Sequence, residues 1–277
     1  MTYKDILAPA IAISEDEAGL SAAGEIAAKC DGRAIALLVA INLASEYADS
    51  VPPLSDVLVD IAAGSRSHAA IERQKLAAWL ETRGGAFETR ELAIEDAVDR
   101  DEVAAHARLA DLVVMTRGPE HGAARRALIA DILFKSGRPL LLVPLRPRKR
   151  NWDRFVIGWN ASANAVRAIA AAMPLLKPAS SVIIATVDAV PSPAGHGQTP
   201  GRELAAYLAR HGVRAEVHNL DGLGRPAEKA LCDEALAFDA DALVIGAYGH
   251  SPAQEFIFGG VTRALLAEAP VPLLMAH

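Results

Sequence analysis

The chain repeats itself, and the repeat limits what it can fold into. Asp111-Leu-Val-Val-Met is answered by Asp241-Ala-Leu-Val-Ile, 130 residues on, and Pro139-Leu-Leu-Leu-Val by Pro272-Leu-Leu-Met-Ala at an offset of 133. Each half alternates short apolar runs with stretches of helical periodicity. In the first half the expected strands are Lys4–Ala10, Ala34–Ile41, Ala86–Leu92, Asp111–Thr116 and Pro139–Pro144, with helices at Glu15–Lys29, Ser55–Arg83, Ala97–Leu109 and Ala123–Lys135. The second half gives strands from Arg154, at Val182–Val187, Val213–Leu220, Ala242–Ile245 and Val271–Ala276, with helices Ala163–Leu176, Glu203–His211, Pro226–Phe238 and Val261–Ala267. The order is β-α-β-α-β-α-β-α-β, twice. Strands alternating with helices need right-handed crossovers and build a parallel sheet wound on both faces. Ala34–Ile41 is apolar throughout, as a strand covered on both faces must be, whereas Ala86–Leu92 and Val213–Leu220 alternate like edge strands. The expected fold is therefore α/β, two tandem doubly wound parallel-sheet domains over residues 1–146 and 151–277. The basic stretch Arg146, Pro147, Arg148, Lys149, Arg150 reads as a solvated linker between them. Ser14 and Glu17 form an S-x-x-E capping box for the first helix.

Composition narrows the function. The 277 residues suit two domains of ordinary size; they are 52% hydrophobic but only 5% aromatic, so Ala, Val, Leu and Ile must build the core. A net charge of −6 argues against a general nucleic-acid partner. No apolar run approaches the roughly 20 residues of a membrane span, and Met-Thr-Tyr-Lys-Asp leads straight into a strand with no signal-peptide core. Cys30 and Cys232 lie in separate helical patterns without a CxxC motif, which reads as two buried, reduced thiols in a cytoplasmic protein. The eight histidines are scattered and show no HxxxH spacing, so no structural metal is expected.

Ligands of doubly wound sheets bind outside the strand C-termini, where the strand order reverses. The second half offers a candidate there. The strand Ala242–Ile245 stops at Gly246; Gly249 follows, then the pair Gly259-Gly260 and a helix beginning at Val261. Glycines permit close backbone approach, and the N–H groups and dipole of a helix start favour phosphate. Gly222-Leu-Gly224-Arg-Pro-Ala227 is half a dinucleotide fingerprint, but it follows an edge-like strand and reads as a turn with Pro226 at N1.

The spacing G-x2-G-x9-G at Gly246, Gly249 and Gly259, followed by a helix and a P-[VL]-L strand, resembles the nucleotide-binding signature of universal stress proteins. With the five-strand pattern in both halves, the chain is similar to two fused copies of that family. The resemblance implies a Rossmann-like fold of the adenine nucleotide alpha hydrolase type and an adenine nucleotide, ATP or AMP, with Mg²⁺ as an optional companion. It implies that Gly246, Gly249, His250, Gly259, Gly260, Val261 and Thr262 wrap the ribose and phosphates, and that backbone at Val187 meets the adenine. It further implies that Asn160 and Ser162, in Asn160-Ala161-Ser162, take the D-G-S position that contacts the ribose or base. The last strands of two copies commonly pair in this family, which implies an intramolecular pseudo-dimer joined through Leu140–Val143 and Leu273–Met275; assembly beyond the tandem unit stays open.

The sequence departs from that pattern in places. Asn160 lacks the aspartate's charge but keeps an acceptor oxygen, Gly260 replaces the usual hydroxyl residue, and residues 250–258 contain no Lys or Arg. The first half departs further: Ile11-Ala12-Ile13 has no acidic residue at the D-G-S position, and no glycine pair follows Thr116-Arg-Gly118. The expected function is an adenine-nucleotide-binding stress-response protein with its site in the second half only. No general base is paired with a nucleophile, and no Walker or G-x-S-x-G motif occurs, so robust catalysis is not expected. A nucleotide-free scaffold, and a slow ATPase or adenylyl-transfer enzyme, are the alternatives.

Overall fold

The computed structural model describes residues 2–41, 56–83, 87–94, 100–118, 123–148, 150–193, 195–247 and 260–277. They form two compact units that divide between Arg138 and Pro139.

The unit up to Arg138 contains strands β1 (Asp5–Ala10), β2 (Arg33–Ile41), β3 (Phe87–Ile94) and β4 (Leu112–Thr116). Its helices are α1 (Ile13–Cys30), α2 (Asp56–Arg83), α3 (Arg100–Arg108) and α4 (Ala123–Lys135). The strands run parallel in the order β3-β2-β1-β4. Ile6, Leu7, Leu37 and Leu112 are inaccessible, as strands covered on both faces require. β3 alternates between exposed and half-buried residues, as befits an edge.

The unit from Pro139 contains β5 (Leu140–Val143), β6 (Arg154–Gly158), β7 (Ser181–Val187), β8 (Ala215–Leu220), β9 (Ala242–Gly246) and β10 (Leu273–Ala276). Its helices are α5 (Ala163–Leu176), α6 (Arg202–Arg210), α7 (Ala227–Ala237) and α8 (Gly260–Glu268). The strand order is β5-β10-β9-β6-β7-β8, parallel except that β5 runs against β10. The fold is thus α/β and Rossmann-like, with a reversal of strand order at β1/β4 and again at β6/β9.

Leu140–Val143 pairs with the last strand as expected, antiparallel, at Leu273↔Leu142, Leu274↔Leu141 and Met275↔Leu140, and lies in the second unit. Two local expectations change. The basic stretch ahead of β6 is not wholly solvated: the half-buried Arg150 guanidinium donates to the Ala240 carbonyl, and burial holds its pKa below the usual arginine range. The Ser14–Glu17 capping box does not form. Helix α1 starts earlier, at Ile13, and its N-cap Ala12 has no side chain to offer. Distant and neighbouring carboxylates cap it instead, as described below. Cys30 is buried and Cys232 half-buried, and neither forms a disulfide. Among the described residues no helix is long and apolar enough to cross a membrane.

Candidate functional site

In a doubly wound sheet the ligand crevice is expected where the strand order reverses, which in the second unit is at the C-terminal ends of β6 and β9. β6 ends at Gly158, but the Trp159 N–H continues the ladder to the Ala185 carbonyl at 2.8 Å. Asn160-Ala161-Ser162 then turns the chain into α5. Asn160 Oδ1 accepts from the Ser162 N–H at 3.2 Å, a local side-chain-to-backbone bond that asparagine makes readily. Ala161 takes φ 56°, in the left-handed region that favours glycine. Ser162 is the N-cap of α5, its hydroxyl accepting from the Ala165 N–H at 3.1 Å. The two polar residues at the D-G-S position therefore shape the turn and the helix start.

Gly246 closes β9 from the other side. A Cβ there would sit 2.5 Å from the Asn164 carbonyl carbon, 2.9 Å from Ala165 Cα and closer still to Ala165 N. The first turn of α5 rests directly on this glycine. Asn164, 7% exposed, donates to the Ala247 carbonyl at 2.5 Å and accepts from Arg167 at 2.5 Å, fastening the helix start to the strand end. The sequence reading missed Asn164; its one signal is a buried-side amide in an otherwise apolar helix start.

The remaining expected residues spread around this turn. Val187 ends β7 in register with Leu220. Its neighbour Asp188, at φ 47°, accepts from the Gly222 N–H at 2.8 Å and so ties the loops after β7 and β8 together. The turn reading of residues 222–227 holds with one shift: Pro226 is the N-cap of α7, its ψ of 141° still extended, and the helix starts at Ala227. Gly260 opens α8 with nothing within 4 Å of where a Cβ would stand. Val261 is 38% exposed, and Thr262 is buried at 5%. Gly249, His250 and Gly259 lie outside the described residues.

A pair of aspartates aligns the two units. Asp111 Oδ2 accepts from the Lys4 and Asp5 N–H groups at 2.7 and 3.1 Å; Asp241 Oδ2 accepts from Asp153 and Arg154 at 2.6 and 3.0 Å. Asp5 thus corresponds to Arg154, and Ile11-Ala12-Ile13 to Asn160-Ala161-Ser162. The two turns differ. Ala12 is extended, at φ −135° and ψ 115°, where Ala161 is left-handed. The Ile11 and Ala12 N–H groups donate to Asp16 Oδ2 at 2.8 and 3.1 Å, and the Ile13 N–H donates to Glu72 Oε2 of α2 at 2.7 Å. Asp16 and Glu72 are each 1% exposed. Burial pushes the Glu72 carboxyl up, but its bonds to Lys75 and the Ile13 N–H, with the charges of Lys75 and His68, outweigh this and hold it below the usual carboxylate range. Arg125 of α4, 4% exposed, pairs with Asp16 through both terminal nitrogens and reaches Glu15 at 3.2 Å.

The fold is that of a doubly wound α/β protein, and the strand-order switch of its second unit is the candidate site. Residues 151–277 match the model of the Universal stress protein family. Among solved structures, a universal stress protein from Archaeoglobus fulgidus DSM 4304 is similar over 98% of this chain and 95% of its own, at 16% identity and a TM-score of 0.71. A functionally unknown protein from Pseudomonas aeruginosa PAO1 is similar over 99% of this chain and 92% of its own, at 14% identity and a TM-score of 0.59. These likenesses extend the fold over both units. No curated protein matches the chain.

Proposed function

We propose that the chain is a tandem universal stress protein that binds an adenine nucleotide, ATP or AMP, in its second unit and changes its associations in response. The observation that carries this reading is the turn Asn160-Ala161-Ser162, with a left-handed central residue, set across from Gly246 at the strand-order switch of the unit that matches the family. In this reading Val187 backbone meets the base, Asn160 and Ser162 meet the ribose, and the segment Gly246, Gly249, His250, Gly259, Gly260, Val261 and Thr262 holds the phosphates. Cations are few among the described site residues: Arg167 is engaged by Asn164, which leaves Arg263, exposed near the start of α8. Phosphate would rest on backbone N–H groups, the α8 start and Mg²⁺, each helix-end contribution being about 0.3–1 kcal/mol. A monophosphate asks least of such a site. A cytoplasmic setting is part of this proposal.

A nucleotide-free scaffold is the second reading. It is favoured by the local engagement of Asn160 Oδ1 and the Ser162 hydroxyl. Denaturing the purified protein and running the supernatant on anion-exchange chromatography separates the two, followed by calorimetry with ATP and AMP on the wild type and Gly249→Val. Co-purified nucleotide, or heat that the variant abolishes, supports binding. No nucleotide and no heat at millimolar concentrations leaves the scaffold. Turnover above background that one side-chain change abolishes would instead make the protein an enzyme.

A further inference from the structure

The buried charges of the first unit have no part in the proposed nucleotide site. Two carboxylates and a guanidinium, all under 5% exposed, meet at the start of α1. The carboxylates accept from the three backbone N–H groups of Ile11, Ala12 and Ile13, the segment that corresponds to Asn160-Ala161-Ser162. In the second unit one of these N–H groups, that of Ser162, is held only by its neighbour Asn160. In the first unit, carboxylates supply what an anionic or ribose-bearing ligand would have to supply. Asp16 reaches back from the first turn of α1, and Glu72 reaches in from α2, 59 residues away. Arg125 seals the arrangement from α4: it bonds Asp16, comes within 3.5 Å of the Thr116 carbonyl, and lies so close over Gly118 that a Cβ there would collide with its Cδ and Nε. Gly118 makes room with φ +64°. The end of β1, the end of β4, α1, α2 and α4 are thus tied together at the point where a doubly wound unit normally opens.

We propose that Asp16, Glu72 and Arg125 form a built-in occupant of the first unit's switch-point crevice, so that this unit is closed without ligand and the chain takes no more than one nucleotide. The comparison of the two turns rests on reading residues 160–162 as the ligand turn, but the closure of the first unit is testable independently.

The test is residue-resolved amide hydrogen exchange on the full-length protein. In the wild type without added ligand, the Ile11, Ala12 and Ile13 amides exchange at least 100-fold more slowly than in an unstructured chain. Neither 5 mM AMP nor 5 mM inorganic phosphate changes their rates. Glu72→Ala speeds Ile13 at least tenfold and affects Ile11 and Ala12 less, because Asp16 still holds those two. Arg125→Met speeds all three; should it fail to fold, the Glu72→Ala pattern decides alone. Fast exchange at 11–13 in the ligand-free wild type, further slowing by AMP or phosphate, or an Ile13 rate unmoved by Glu72→Ala would each overturn the proposal. Failure of AMP to alter amides 160–162 and 247 would count against the nucleotide reading of the second unit and leave the ligand-free rates at 11–13 to decide this one.

Discussion

Gly246→Ala should destabilise the second unit more than its size suggests. The glycine's backbone is ordinary, since its φ is not in the left-handed region, so the cost is steric rather than conformational. The added Cβ meets backbone, not a side-chain tip: it would lie 2.5 Å from the Asn164 carbonyl carbon, where ordinary contact begins at 3.4 Å. Helix α5 would have to withdraw by about 1 Å, carrying with it Ala165, Ala168 and Ile169, all at most 2% exposed. Overpacking of a dense core costs about 1–3 kcal/mol, and the upper end applies because a whole helix start must move. The same shift stretches the Asn164–Ala247 bond, which adds about 1 kcal/mol. The expected loss is about 3–4 kcal/mol, and under the proposed function nucleotide binding weakens too because the turn at 160–162 moves with the helix. The assay is urea unfolding followed by tryptophan fluorescence in a Trp79→Phe background, where only Trp152 and Trp159 of the second unit report. Gly158→Ala is the control: its Cβ would meet methyls of Ile245 and Leu231 at 3.0 and 3.2 Å, and should cost about 1 kcal/mol or less. If Gly246→Ala unfolds within about 0.5 kcal/mol of the wild type, or no lower than Gly158→Ala, the close-approach argument is wrong.

Three further outcomes are expected. Asp241→Ala leaves the Asp153 and Arg154 N–H groups without their buried acceptor and should cost about 2–4 kcal/mol in the same urea assay. Asp111→Ala, whose partner Lys4 is exposed, should cost less. The folded pKa of Glu72 lies below the 4.5 of an unperturbed glutamate, so its contribution is complete above pH 4.5 and is lost as pH falls through the folded value. Urea midpoints of the first unit should therefore drop more steeply below pH 4.5 in the wild type than in Glu72→Gln; equal slopes would remove Glu72 from the account. Ala161→Gly should stabilise by about 0.5–1 kcal/mol, because a left-handed position strains any L-residue, while Ala12→Gly, at an extended position, should destabilise by about as much. Thermal melts of the two variants check the opposite signs.

Much of the fold was legible because it is written in local chemistry. Continuous apolar runs such as Ala34–Leu38 mark strands covered on both faces, and the alternation in β3 and β8 marks edges. The candidate site was legible only as spacing. The spacing singles out Gly246 as a phosphate-loop glycine, whereas the task the structure gives it is receiving the first turn of α5, and a spacing rule cannot separate these. Ser162 caps α5 through a partner only three residues away, a contact local enough to be written in the sequence. Ser14 was misread for the converse reason. Its local pattern is sound, but Glu72 arrives from 59 residues off to hold the Ile13 N–H, and the helix starts two residues earlier. The strand-heading aspartates were visible as a repeat, while their task, accepting two N–H groups from the neighbouring strand, depends on a pairing that only the folded sheet supplies.

The two turns carry the physical argument for a division of labour. A backbone N–H in a half-buried turn must find an acceptor, and each unit finds it differently. In the second, Asn160 and Ser162 satisfy the turn with short side chains of its own, at the cost of holding Ala161 in a left-handed conformation. In the first, Ala12 relaxes to an extended conformation, and two buried carboxylates come in with the positive charge they require. Burying a carboxylate is tolerable only when it is paired and hydrogen-bonded, so Arg125 and the positive φ at Gly118 that accommodates it belong to the same solution. Reversing one element alone therefore leaves an unmatched charge rather than an open crevice. On this reasoning, a working ligand turn could be restored in the first unit only by changing Asp16, Glu72 and Arg125 together.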